Sequence, residues 1–156
     1  MYGVEPVELA ADWVVGFVDG EGCFHVSINR HPEMTIGFQV LPEIVIVQHE
    51  RDVQVLHALK RFFGFGVVRP NHGDRHCLRI RKLEGLRQAC AFFIRHPLKT
   101  KKRIDFQKFH RIVQLMGQDR HLQREGLLEI TDLALSMNTT VRPALEQVRS
   151  ELIASG

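Results

Sequence analysis

No apolar run in this chain is long enough to cross a bilayer. The best candidate, Trp13 to Val18, is short and sits between Asp12 and Asp19, whereas a membrane helix needs about 20 apolar residues. A basic stretch followed by an apolar core is missing from the first residues, so no secretory leader is expected. Cysteine is scarce: Cys23, Cys77 and Cys90 are an odd number without the paired spacing of a metal site. This argues against a disulfide framework and for a reducing setting, cytoplasm or organelle matrix, rather than secretion. Linkers, repeats and low-complexity stretches are also lacking, so residues 1–156 read as one domain. With 44% hydrophobic residues, that length supports a sizeable core.

What is present is an uneven charge. The net is only +3, but residues 1–59 hold two Lys/Arg against nine Asp/Glu. Residues 60–111 hold fifteen against three, and residues 112–156 four against six. A basic centre between acidic ends implies one strongly positive surface, as a polyanion binder needs.

Hydrophobic spacing gives the elements. Residues 7–20 read as a helix apolar on more than one side, stopped by Gly20 and Gly22. Period two then takes over: Phe24, Val26 and Ile28 alternate with Cys23, His25, Ser27 and Asn29, the mark of a half-buried strand. After a turn near His31-Pro32-Glu33, a second strand is expected through Met34, Ile36, Phe38 and Val40. Pro42 should interrupt it before Ile44 and Ile46. Asp52 to Phe63 returns to helical spacing. Val67–Asn71 and His76–Lys82 read as two strands joined by the turn at 71–74. Helices are expected at Leu86–Ile94, Lys101–Met116, Gln123–Met137 and Arg142–Ile153, the last with Pro143 in its first turn. The class is α+β, with a core at about 8–116 and a helical tail at 117–156.

The most informative segment is Val14-Val15-Gly16-Phe17-Val18-Asp19-Gly20-Glu21-Gly22. Gly16 and Gly20 lie on one helix face, where nothing projects and a second helix can approach closely. Asp19 and Glu21 fall at the helix C-terminus, where the dipole disfavours carboxylates and a cation should compensate. A hard divalent ion with oxygen ligands, such as Mg²⁺, is one answer. A helix that merely ends in acids before a glycine turn is the other.

This segment resembles the signature of the LAGLIDADG homing endonucleases, with Glu21 at the last acidic position and Val14-Val15 in place of the Leu-Ala of the name. The resemblance runs from about Glu8 to Met137. It implies an αββαββα core, a four-stranded antiparallel DNA-binding sheet and C-terminal helices. By the family pattern the first helix is a dimer seam, here Asp12, Trp13, Gly16, Phe17, Asp19 and Gly20, with Asp19 also in a capping part. Glu21, with Gly20, would hold the catalytic metal, Mg²⁺, with Mn²⁺ or Ca²⁺ able to substitute for binding. Gln48, in Val47-Gln48-His49-Glu50-Arg51-Asp52, matches a position used near the attacking water. The run Pro97-Leu98-Lys99-Thr100-Lys101-Lys102 matches the loop that brings a lysine to the active centre, assigned to Lys101 with Lys99 as fallback. One copy of the signature in a chain of this length implies a homodimer on a partly palindromic duplex. The implied cuts cross the minor groove and leave short 3′ extensions. Neither a membrane nor a small-molecule cofactor is called for.

Base reading is expected from the strands, because the major groove distinguishes every base pair. The candidates are Cys23, His25, Ser27, Asn29, Gln39, Glu43, Arg69, Asn71, Arg79 and Arg81, with Arg79 and Arg81 foremost. Lys99, Lys102, Arg103, Lys108 and Arg111 are expected on phosphates. An RNA-binding intron maturase and a catalytically inactive DNA-binding regulator of the same fold are the alternatives. The acids at the helix end favour the nuclease, since binding alone does not require them. His72 and His76 lack the partners of a zinc site.

Overall fold

The computed structural model describes residues 7–138 and 142–156. Helix α1 covers Ala11–Glu21, followed by strands β1, Gly22–Arg30, and β2, Phe38–His49. Helix α2, Val53–Phe63, leads to β3, Val67–Pro70, and β4, Arg75–Ile80. Helices α3, Leu83–Arg95, α4, Lys102–Gly117, α5, Arg124–Leu135, and α6, Pro143–Ala154, complete the chain. The strands form one antiparallel sheet in the order β1-β2-β4-β3. The expected αββαββα order, the sheet and the helical tail are therefore all present. Among the described residues no helix is long and apolar enough to cross a membrane.

The described residues divide into two compact units, one of 7–24 and 43–103 and one of 25–42, 104–138 and 142–156. In the first unit, β2 pairs with β4 in a register that sets Val45 opposite Arg79, Val47 opposite Cys77 and His49 opposite Arg75. β3 pairs with the other side of β4, setting Val67 opposite Arg79 and Arg69 opposite Cys77. Because side chains alternate between faces, Val45, Arg79, Val67, Cys77 and Arg69 share one face. Ile44, Ile46, Leu78 and Ile80 share the other and are buried with Val14, Val18, Leu56, Leu59, Leu86, Phe93 and Leu98. Edge-to-face aromatic contacts of Phe93 with Phe24 and Phe92 order this core. Helix α2 ends at Gly64, whose φ of +87° is the left-handed cap that glycine adopts without strain.

In the second unit, Val26, Ile28, Phe38 and Val40 are buried on the hairpin, and Phe109, Ile112, Leu127, Ile130, Leu145 and Leu152 on the tail helices. Arg142 donates to the Val26 carbonyl at 2.9 Å, and Arg30 pairs with Glu151. Tail and hairpin are thus joined by polar contacts.

Three expectations need correction. Helix α1 begins at Ala11, not residue 7: Ala10 supplies no side-chain cap, and Val7 remains exposed. Met34 and Ile36 are not on a strand, because residues 31–37 form a loop closed by Met34 N–H to His31 O, Gly37 N–H to Met34 O and His31 N–H to Gly37 O. Pro42 does not interrupt β2, which runs unbroken through it; the pairs with β4 begin beyond it, at Ile44. No β4 bond therefore falls on its missing N–H.

Candidate active site and nucleic-acid face

The site grows from the last turn of α1. Asp19 is buried there, only 8% exposed. A buried carboxylate stays charged only where donors replace water. Asp19 accepts from the Lys99 N–H at 2.7 Å, from the Thr100 N–H at 3.1 Å and from the Thr100 hydroxyl at 2.5 Å. Burial pushes its pKa up, but the Thr100 hydroxyl, the two N–H groups and the Lys102 charge outweigh it, and the carboxyl lies below its ordinary value. Lys102 sends its ammonium to the Val18 carbonyl at 3.3 Å, at the negative end of the helix. The cation expected to compensate this helix end is thus supplied in part by the chain itself.

These contacts hold the segment 97–101 against the end of α1. Thr100 also accepts from the Lys102 N–H at 3.3 Å, so it starts α4 while anchoring to Asp19. The sequence reading passed over Thr100, although a threonine just before a helical pattern is a cap signal. Lys99 and Lys101 are exposed on this anchored segment.

Glu21 and Gly20 are exposed at the same helix end. The last carbonyls of a helix lack intrahelical donors, and nothing lies within 4 Å of where a Gly20 Cβ would stand. A carboxylate and a carbonyl of the last helical turn are oxygen donors of the hardness Mg²⁺ takes, and Mg²⁺ keeps several of its waters. Among the described residues no group of three or more His, Cys, Asp or Glu is arranged around a metal position. At this helix end the candidate donors are the Glu21 carboxylate and the helix-terminal carbonyls. Gln48 is half-buried near the end of β2, opposite His76, its amide donating to the Val47 carbonyl at 2.8 Å.

Along α1, Trp13 stacks on Phe17 with ring centroids 4.8 Å apart and is 44% exposed. Gly16 likewise has nothing within 4 Å of an added Cβ. Beside it Asp12, Val15 and Gly16 line a hollow of about 410 Å³ with Arg95, His96 and Lys99. Of the residues expected at a seam, Asp12, Trp13, Gly16 and Gly20 are thus exposed, Phe17 is half-exposed and Asp19 is turned inward to its capping part.

On the sheet of the first unit, Arg69 and Arg79 share the outward face, as expected. Arg81 lies one residue beyond the end of β4, and Asn71 one beyond β3. Glu43 contacts Arg81 at 2.6 Å and Arg79 at 3.7 Å. A hydrogen bond with Cys77 and the Glu43 charge, against partial burial, raise the Arg79 pKa. Cys23 is half-exposed at the start of β1. In the second unit, His25, Ser27 and Gln39 are half-exposed and Asn29 exposed, alternating with buried neighbours. Arg103 is exposed at the start of α4. Lys108 and Arg111, expected on phosphates, instead bond the Ser136 carbonyl and the Glu129 carboxylate.

Comparison with known proteins places this geometry. The chain matches the LAGLIDADG endonuclease family model over residues 14–113. A solved structure of the homing endonuclease I-TnaI is 54% identical, with a TM-score of 0.91 over 94% of this chain and 99% of that one. The homing endonuclease I-SmaMI bound to cleaved DNA is 28% identical, with a TM-score of 0.89 over 98% of this chain and 52% of that one. A probable intron-encoded endonuclease of Neurospora crassa is 29% identical over 143 residues, which is 86% of this chain. The chain spans about a quarter of the length of the first curated relatives it matches. With the αββαββα order, the acidic end of α1 and the family match over most of its length, the chain belongs to the LAGLIDADG endonuclease family.

Proposed function

We propose that the chain is a site-specific DNA endonuclease that acts as a homodimer and hydrolyses both strands with divalent metal held at Glu21. The observation that carries the reading is the Asp19 anchor, which draws the lysine-bearing segment 97–101 to the helix end where Glu21 is exposed. Anionic and cationic groups at one place suit phosphodiester hydrolysis, which needs an activated water and a stabilised leaving oxygen. Nothing in the tight packing of the fold requires Glu21 at that exposed position.

Each side chain then has a part. Glu21, with the Gly20 carbonyl, would hold Mg²⁺, whose contribution when bound is to acidify water and neutralise developing charge. Lys101 would lie against the phosphate, with Lys99 beside it. Gln48 would orient the attacking water through an amide that can both donate and accept. Asp19 positions rather than reacts. Exposed Gly16 and Gly20 leave α1 open to a second copy of itself, and the stacked Trp13 and Phe17 give that approach an apolar surface. The chain matches 52% of the I-SmaMI chain, a length that two copies of this chain would fill, which supports the homodimer.

The test is cleavage of duplex DNA spanning the insertion site of the chain's own gene. With Mg²⁺ a double-strand break is expected, and a chelator should abolish cutting. Glu21→Gln should remove cleavage while the folded protein still binds the duplex. Cutting by Glu21→Gln at the wild-type rate would overturn the metal assignment.

A further inference from the structure

Glu43 is out of character with its surroundings. It faces the most cationic part of the chain, and its side chain is only 14% exposed, against 35% for Arg79 and 61% for Arg81. A carboxylate so far withdrawn from water requires compensation. One oxygen, Oε2, receives it from both sides: the Arg81 Nε at 2.6 Å and the Arg79 Nη1 at 3.7 Å. The register explains the meeting. Ile44 pairs with Ile80, so Glu43 and Arg81, each one residue further out, come together at the end of the β2–β4 ladder.

We infer that Glu43 is a specificity-determining residue that holds Arg79 and Arg81 as one paired reader of neighbouring guanines in duplex DNA. The inference rests on the DNA-binding reading above and adds the way in which this face selects bases. A guanidinium carries five N–H donors in a rigid plane. Arg81 engages Glu43 through Nε, and its two terminal nitrogens form a second donor edge. That edge matches O6 and N7 of guanine. Arg79 faces the same oxygen through Nη1 at 3.7 Å. Both guanidinium groups reach the same oxygen, at 2.6 and 3.7 Å, so they stand close enough to meet neighbouring base pairs, which rise about 3.4 Å each.

The carboxylate also governs what the arginines do not bind. Without it two unpaired cations on flexible stems would take phosphates, which carry no sequence information. With it one charge of the two is cancelled, and their orientation is set before DNA arrives. Glu43 therefore trades affinity for choice of sequence. An exposed ion pair would contribute little of this kind, but here the shared acid is mostly buried.

The experiment selects bound sequences from randomised duplex DNA, with Ca²⁺ in place of Mg²⁺, for the wild type, Glu43→Gln and Arg81→Gln. The wild type should enrich guanines at a pair of adjacent or nearly adjacent positions. Glu43→Gln should lower that preference about tenfold at both positions and steepen the salt dependence of binding by about one phosphate contact. Arg81→Gln, which keeps a side-chain N–H for Glu43 at a side chain 61% exposed, should lose the preference at one of the same two positions. A Glu43→Gln profile equal to the wild type overturns the inference alone, as does a preference loss spread evenly over the site or an Arg81→Gln loss elsewhere. A wild type that enriches no sequence overturns both the inference and the DNA-binding reading.

Discussion

Asp19 and Glu21 are two residues apart, and the fold treats them oppositely. Asp19 is turned inward to three donors on Lys99 and Thr100, whereas Glu21 is left in solvent. Replacing Asp19 by Asn puts an amide nitrogen where those donors need an acceptor. A loss of about 1–3 kcal/mol is expected, read as a lower denaturant midpoint with an unchanged slope. The pH dependence has a definite sign. The folded pKa of Asp19 is lowered, so its contribution is complete above the unfolded value of about 3.9 and fades as pH falls through the folded value. Asp19→Asn should therefore lose less stability than the wild type between neutral pH and pH about 2. An equal loss in the two proteins would show that Asp19 is not held as described. At this scale the acids were legible because their place in a motif identified them. Thr100 was not, because its partner lies 81 positions away and only the folded chain joins them.

At the scale of elements, the glycines of α1 and of its junction with β1 have opposite duties. A Cβ at Gly22 would stand 2.9 Å from the Val18 carbonyl, with a Val18 methyl at 2.8 Å. Gly22→Ala should therefore strain the junction of α1 and β1, by about 1–3 kcal/mol in a thermal melt. Gly16 has open space instead. Alanine there should favour the isolated helix by about 0.5–1 kcal/mol, yet it would keep two helices from meeting closely. Gly16→Ala should thus stabilise the single chain while weakening its self-association in sedimentation equilibrium. If association is unchanged, the seam does not run along this face. Element types were legible wherever period 2 or 3.6 was sustained. The misreading at Met34 and Ile36 arose because apolar residues at alternate positions look like a strand even where successive turns, closed at Gly37, take the backbone bonds. Bounds failed where a cap was missing, as at Ala10.

For the molecule as a whole, the decisive quantity is charge and its placement. Fifteen of the chain's 21 cations fall within residues 60–111, and that cluster was visible in the sequence. Which of them remain available was not, since Lys108, Arg111 and Lys102 are drawn to protein acceptors. Fewer phosphate contacts should follow than a count of cations implies. Contact with six to ten phosphates would weaken binding about 10³- to 10⁵-fold between 50 and 200 mM salt, and a slope at or below the low end is expected. Filter binding across that range measures it directly.

The chain's one tryptophan, Trp13, lies on the stacked and exposed face of α1. Indole emission reports the polarity around the ring, so this protein carries its own optical gauge on the surface where a second copy would dock. Dilution from a concentrated stock should shift that emission to the red as the ring returns to water, and the midpoint of the shift gives the dissociation constant without any added label.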